Sequence, residues 1–234
     1  MPNSDPSPPP QSRVSIRFLL VTVLFVTCLI AANIIAVKAI AVWGMMLPAA
    51  IIIFPVSYIL GDVLTEVYGY RQARRVIWLG FLCNLVVVVA ISIAQALPGA
   101  PFWDAEPAFD RILGSTPRIL AASFIAYLVG EFANAFVLAK MKLATQGRWL
   151  WTRTIGSTLV GQALDSAIFI TLAFAGEWPT GLLITAVVTQ WLVKSAYEAL
   201  ATPVTYAVVL FLKRADGVDV YDRETKFNPL LVTD

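Results

Sequence analysis

The chain has 234 residues, of which 59% are hydrophobic and 14% charged, with no histidine and a formal net charge of +2. A soluble domain carries about 25% charged residues, so a water-facing surface of the usual kind is excluded, and such hydrophobicity also excludes a disordered chain. A pI near 8.6 rests on 17 basic against 15 acidic residues, which is no footprint for nucleic acid, and the missing histidine removes the commonest acid–base group and metal ligand.

Taken in order, the chain opens on Pro2–Ser12, a Pro- and Ser-rich stretch that reads as a disordered tail. Six apolar stretches follow: Phe18–Trp43, Leu47–Tyr68, Val76–Leu97, Ile119–Ala139, Thr154–Ala175 and Leu182–Leu212. Each meets the ~20 residues that cross ~30 Å of hydrocarbon as a helix. Short alternating segments, the mark of a membrane β-barrel, are not the pattern. The first stretch is too long for a cleaved signal sequence and is expected to remain as a span.

The last stretch is long for one span and short for two, and Pro203 should kink it. Charge decides for one. With six spans and the N-terminus inside, Arg13, Arg17, Arg71, Arg74, Arg75, Lys140, Lys142, Arg148, Arg153, Lys213, Arg214, Arg223 and Lys226 are cytoplasmic, and only Arg111 and Arg118 face out. That asymmetry is the positive-inside pattern. The expected organisation is a tail over 1–16, a transmembrane domain over 17–213 and a cytoplasmic tail over 214–234: an all-α membrane protein with both termini inside. Trp43, Trp78, Trp149, Trp151 and Trp178 fall near span ends, as an aromatic belt does. Cys28 and Cys83 lack paired spacing and read as small buried hydrophobes.

Seven charges lie inside the apolar stretches: Lys38, Asp62, Glu66, Glu131, Asp165, Lys194 and Glu198. At ~3 kcal/mol each on the insertion scale they must pair, face a wet cavity, or both. Counted from the span ends, Asn33, Glu131, Asp165, Lys194 and Glu198 fall near mid-membrane, and Glu66 lies at the inner interface. Asp62 and Glu66 are four apart, Glu131 and Asn134 three apart, and Gln162 and Asp165 three apart. Gln190, Lys194 and Glu198 follow at four-residue steps, so each set occupies one helical face. The small pairs Ser57/Gly61, Ala126/Gly130 and Ser157/Gly161 let helices approach closely. The expectation is one polar cavity lined by spans one, two, four, five and six.

Plainer readings stand beside this one. Lys194 and Glu198 fit a salt bridge within their own helix, Glu66 fits a pair with Arg71, and Trp191 fits a lipid-facing or core aromatic as well as a stacking platform. Without histidine or paired cysteines, zinc hydrolysis and a Ser–His dyad are excluded, and there is no P-loop. Two carboxylates such as Asp62 and Asp165 leave aspartyl chemistry open, though no flanking signature supports it. A transporter is the better class, with no enzyme activity, metal or cofactor expected. Any proton it carries must ride on a carboxylate.

The second span and its exit loop, Phe54-Pro55-Val56-Ser57-Tyr58-Ile59-Leu60-Gly61-Asp62-Val63-Leu64-Thr65-Glu66-Val67-Tyr68-Gly69-Tyr70 followed by Ala73-Arg74-Arg75, resemble the signature of the queuosine precursor transporter family, also called the VUT family. The resemblance continues with Ala32-Asn33 and Lys38, Glu131 with Asn134, Gly147-Arg148, Arg153-Thr154, Ser157, Gly161-Gln162 and Asp165-Ser166. Lys194, Tyr197-Glu198, Thr202-Pro203, Asp219, Tyr221-Asp222 and Asn228-Pro229 complete it. It covers roughly residues 18–230 and omits the outer loop Pro98–Pro117. It implies bacterial inner-membrane uptake of 7-cyano- and 7-aminomethyl-7-deazaguanine, precursors of the tRNA base queuosine. It also implies an architecture similar to the substrate-binding subunits of energy-coupling-factor vitamin transporters, without dedicated ATPases. A vitamin-type subunit needing such a module is the alternative.

A guanine-like edge suits these residues. Asp165 or Glu131 can accept its N1–H and amine, and Lys194, Gln162 or Asn134 can donate to its oxygen. Trp191, Tyr58 or Tyr127 can stack on the ring, a contact worth ~1–3 kcal/mol. The expected binding set is Asp62, Glu131, Asn134, Gln162, Asp165, Trp191, Lys194 and Glu198, with Asn33, Lys38, Tyr58 and Glu66 in approach or coupling. The expected partners are a small purine-like substrate and membrane lipid, with no nucleic acid.

Overall fold

The structure, a computed structural model, describes residues 15–42, 45–114 and 117–231. The expectations for Pro2–Ser12, Arg13 and Trp43 lie outside the described residues. Seven helices are described: α1 (Ile16–Ile35), α2 (Phe54–Tyr68), α3 (Tyr70–Ala96), α4 (Glu106–Leu113), α5 (Pro117–Ala144), α6 (Leu150–Phe174) and α7 (Thr180–Asp216). Between α1 and α2 lie two short antiparallel strands, β1 (Ala39–Val42) and β2 (Met45–Pro48), with Ala39 opposite Pro48. A 3-10 turn over Ala49–Ile52 leads into α2.

Among the described residues, five helical segments are long and apolar enough to cross a membrane: α1, α3, α5 with the preceding α4, α6 and α7. Leu20, Leu24, Val86, Ile93, Leu192 and Phe211 are exposed on their flanks. Apolar side chains facing outward along helices whose backbone bonds are satisfied internally suit lipid as the solvent. The chain is a helical membrane protein.

α2 differs from the other long helices. It has 15 residues, begins with Pro55 in its first turn, and buries most of its length, including Asp62 and Glu66. It is enclosed by α1, α3, α5 and α7. Proline suits a first helical turn, where its missing N–H costs nothing, so Pro55 starts this helix rather than interrupting a longer one. α7 is one continuous helix of 37 residues with Pro203 inside it, as charge placement requires.

The first span corrects downward. α1 stops at Ile35, eight residues before the expected limit, because the chain turns into the two-stranded ribbon. Asn33 therefore sits in the last turn of α1 instead of at mid-helix, and Lys38 lies beyond the helix.

The apolar core gathers Phe25 and Leu29 of α1, Val63, Leu64 and Val67 of α2, and Ile77 of α3. α5 and α6 make the most extensive helix–helix contact. They cross where Gly130 and Gly161 face each other: a Cβ on Gly130 would sit 3.2 Å from the Gly161 carbonyl oxygen, and one on Gly161 3.0 Å from that of Gly130. The small pairs thus perform the packing role their spacing implies.

Residues beyond α7 do not trail away from the bundle. Val220 N–H donates to the Val67 carbonyl at 3.2 Å, and Asp222 accepts from the Tyr70 N–H at 3.0 Å, capping the start of α3. Arg74 donates to the carbonyls of Lys226 and Asn228, and Trp78 to that of Pro229. Gly69, at φ 85°, makes the turn between α2 and α3, and a Cβ there would lie 2.6 Å from Val220. The segment from Gly217 to Leu231 is a strap across one end of the bundle.

Candidate functional site

The site grows from four helices. On α2, Phe54, Tyr58 and Asp62 recur at four-residue steps on one face. Asn134 of α5 donates through Nδ2 to Asp62 Oδ1 at 2.7 Å. Glu131 lies one turn before Asn134 and reaches the notch left by Gly61, where its Oε2 would be 3.2 Å from an added Cβ. On α6, Asp165 accepts from Lys194 Nζ of α7 at 2.6 Å, and the Lys194 ammonium stands 4.5 Å over the Phe54 ring. Glu198 lies one turn after Lys194 and within electrostatic reach of both Asp62 and Glu131. Glu131 in turn is within reach of Asp62 and Asp165.

The structure therefore brings together Tyr58, Asp62, Glu131, Asn134, Asp165, Lys194 and Glu198, with Gln162 one turn before Asp165. Six of these leave a buried polar atom without a hydrogen-bond partner: Tyr58 OH, Asp62 Oδ2, Glu131 Oε1, Asn134 Oδ1, Gln162 Oε1 and Glu198 Oε1. Each such atom costs ~1–3 kcal/mol, and native proteins keep few of them without a reason. Their gathering on α2, α5, α6 and α7 makes this group the candidate site. The space beside Glu131, bounded by Phe25, Gly61, Leu64 and Thr65, has no room for a water molecule. The wet cavity expected here is not open at this point.

Other expected residues fall elsewhere. Lys194 pairs across to Asp165, not along its own helix to Glu198. Trp191 Nε1 donates to the Leu159 carbonyl at 3.0 Å, joining α7 to α6. Asn33 is exposed and donates to Asn84 of α3 at 3.1 Å, and Lys38 is exposed. Neither joins the four-helix group. Cys28 and Cys83 are free thiols.

Glu66 belongs to a second cluster. Its Oε1 accepts from Arg153 at 2.8 Å and from Lys213 at 2.7 Å, with Lys142 at 3.7 Å. Arg71 is not its partner in these contacts. Asp219 of the strap bridges Lys142 at 2.6 Å and Lys213 at 2.9 Å. Burial works against ionisation of Asp219, but the hydrogen bonds from Lys142 and Lys213 outweigh it and hold its carboxyl below the ordinary carboxylate range. Arg17 pairs with Asp216 at 2.7 Å at the same end. At the opposite end Arg118 bonds Glu177 and the carbonyls of Leu172 and Ala175.

Sequence reasoning missed Phe54, although its spacing from Tyr58 and Asp62 marks the same face. It also missed Lys142, Lys213 and Asp219 as one set, since only tertiary folding joins them. Thr158 and Ser166 on α6 and Ser195 on α7 carry further buried unpartnered hydroxyls.

Comparison with known proteins bears on this arrangement. The family model described as "Putative vitamin uptake transporter" matches residues 48–208, a stretch that contains α2, α5, α6 and α7 as far as Val208. A protein of Bacillus subtilis (strain 168) named "Probable queuosine precursor transporter" is 28% identical over 172 residues, which is 73% of this chain and 75% of that protein. The "Queuosine precursor transporter" of Escherichia coli (strain K12) is 28% identical over 121 residues, 52% of each chain. A Haemophilus influenzae protein named "Probable queuosine precursor transporter" is 26% identical over 121 residues, 52% of this chain and 49% of its own length. No solved structure matches the chain. The chain belongs to the vitamin uptake transporter family that includes these queuosine precursor transporters, and it is a membrane transporter, not an enzyme.

Proposed function

We propose that this protein imports queuosine precursors, the 7-cyano- and 7-aminomethyl-7-deazaguanines, across the bacterial cytoplasmic membrane. The observation that carries the reading is the convergence of six buried, unpartnered polar atoms on α2, α5, α6 and α7 in a chain of this family. Tyr58, Asp62, Glu131, Asn134, Gln162, Asp165, Lys194 and Glu198 are the substrate site. A purine-like ligand supplies the missing hydrogen bonds when the helices part around it. Trp191 holds α7 against α6 beside the site, and Glu66 couples the site's helix to the basic end.

In this reading α2 is a sixth membrane-embedded helix, shielded from lipid by its neighbours, in a domain spanning 17–213. Tail 1–16 and segment 214–234 lie in the cytoplasm. Support comes from the gathering of Arg17, Lys142, Arg153 and Lys213 at one end, in keeping with positive-inside insertion. The six-helix arrangement is that of energy-coupling-factor substrate-binding subunits, here acting without an ATPase partner.

Uptake of a radiolabelled 7-deazaguanine by cells unable to make the precursor tests the proposal. Expression of the wild-type chain should restore uptake, and Glu131→Ala or Asp165→Ala should abolish it at equal membrane abundance. Uptake by both variants at the wild-type rate overturns the site.

A further inference from the structure

The atoms the site leaves unsatisfied are all oxygens. Asn134 Oδ1 and Gln162 Oε1 are amide acceptors, Asp62 Oδ2, Glu131 Oε1 and Glu198 Oε1 are carboxyl oxygens that only accept once ionised, and the remaining one, Tyr58 OH, is a hydroxyl that can accept or donate. The cationic donor, Lys194, is committed to Asp165 at 2.6 Å and rests on the Phe54 ring. Asn134 Nδ2 gives one of its two hydrogens to Asp62.

The charges are also unevenly placed. Asp62, Glu131 and Glu198 lie within electrostatic reach of one another, and none of the three has a cation among its hydrogen-bond or ion-pair partners in the described residues. The Lys194–Asp165 pair stands to one side of that triad. Among the described residues no group of three or more acidic, cysteine or histidine side chains is placed to hold a metal ion. An uncompensated buried carboxylate is costly, and a ligand ammonium bound there removes that cost while donating three hydrogen bonds.

We propose that this site selects a ligand presenting a primary ammonium together with a donor-rich heteroaromatic edge, the ammonium being held by Glu131 and Glu198. The proposal rests on the reading of the chain as a 7-deazaguanine transporter and makes it specific. Of the two ring forms, the 7-aminomethyl compound carries such an ammonium, whereas the nitrile of the 7-cyano compound only accepts and meets an array of acceptors. The ring's N1–H and exocyclic amine then face Asn134 Oδ1 and Gln162 Oε1.

The test is equilibrium binding to the purified full-length protein in detergent, with 7-aminomethyl-7-deazaguanine, 7-cyano-7-deazaguanine and guanine as probes. A charge-assisted hydrogen bond retained in one ligand and lost in the other corresponds to about tenfold or more in Kd. The aminomethyl form should therefore bind at least tenfold more tightly than the cyano form or guanine. In Glu198→Gln and Glu131→Gln, each verified as monodisperse, the ratio between the two forms should fall below about threefold. Equal or tighter binding of the cyano form by the wild-type protein overturns this inference while leaving the transporter reading in place. An unchanged ratio in both variants overturns the assignment of the ammonium to Glu131 and Glu198. Failure of all three probes to bind overturns the transporter reading and this inference with it.

Discussion

Two residues do opposite things with the same side chain. Glu66 is a buried carboxylate enclosed by Arg153, Lys213 and Lys142, whereas Glu131 is buried with an oxygen that nothing among the described residues satisfies. The first holds the fold together, and the second is, under the proposed function, the one a ligand would satisfy. Removing Glu66 strands buried cations, which costs about 3–5 kcal/mol; Glu66→Ala should show that loss in detergent unfolding curves. Glu131→Ala removes an unpaired acceptor, so it should leave the unfolding midpoint unchanged or raised while abolishing uptake. A second pair of residues sets helix spacing. Gly161→Ala places a methyl against the Gly130 carbonyl and Asn134, and overpacking of this kind costs about 1–3 kcal/mol. Gly181→Ala, with nothing within 4 Å of the new carbon, should melt like wild type.

Residue identity was readable from the sequence further than residue pairing was. The depth and helical faces of Asp62, Glu131, Asp165 and Glu198 follow from counting within apolar stretches, and these residues do meet. Spacing within one helix also offered Lys194 a partner at Glu198, but Asp165 on the neighbouring helix takes it at 2.6 Å. Local periodicity sees only the helix it is read on. Nothing in the chain order signals that Asp219 would lie between Lys142 and Lys213.

At the scale of elements, hydropathy placed the ends of α3, α5, α6 and α7 to within six residues, but it started α2 seven residues early and ran α1 eight residues too far. The stretch after Ile35 stays apolar, and an apolar run bounded by turn residues does not distinguish a short ribbon from more helix. The outer loop hid α4, and the polar composition after Asp216 read as a tail where the structure has a strap. That strap makes its own prediction. Asp219 joins it to Lys142 and Lys213, so Asp219→Asn should speed amide exchange of Val220 and Tyr70, whose N–H groups bond Val67 and Asp222. Its carboxyl is held below its ordinary value of 3.8. The attachment is therefore fully present above that pH and is lost as pH falls through the lower folded value. Exchange at those amides, corrected for intrinsic rate, should be flat from pH 5 to 8 in the wild-type protein.

The whole molecule is polar along its long axis. Basic side chains and the strap occupy one end, where α1 begins and α7 finishes, while Arg118 and Glu177 occupy the other. In the proposed topology the first end is cytoplasmic. A cysteine replacing Asp104 should accordingly react with an impermeant maleimide added to intact cells, and one replacing Glu224 only after permeabilisation; the reverse pattern inverts the topology. Between those ends lies the central claim, that this chain alone moves a 7-deazaguanine through the polar group on α2, α5, α6 and α7. Purified protein reconstituted into liposomes and supplied with radiolabelled 7-aminomethyl-7-deazaguanine tests it most directly. Time-dependent uptake without ATP or any partner protein, abolished by Glu131→Ala, is the expected result. No uptake above empty liposomes, or uptake by Glu131→Ala at the wild-type rate, would contradict it.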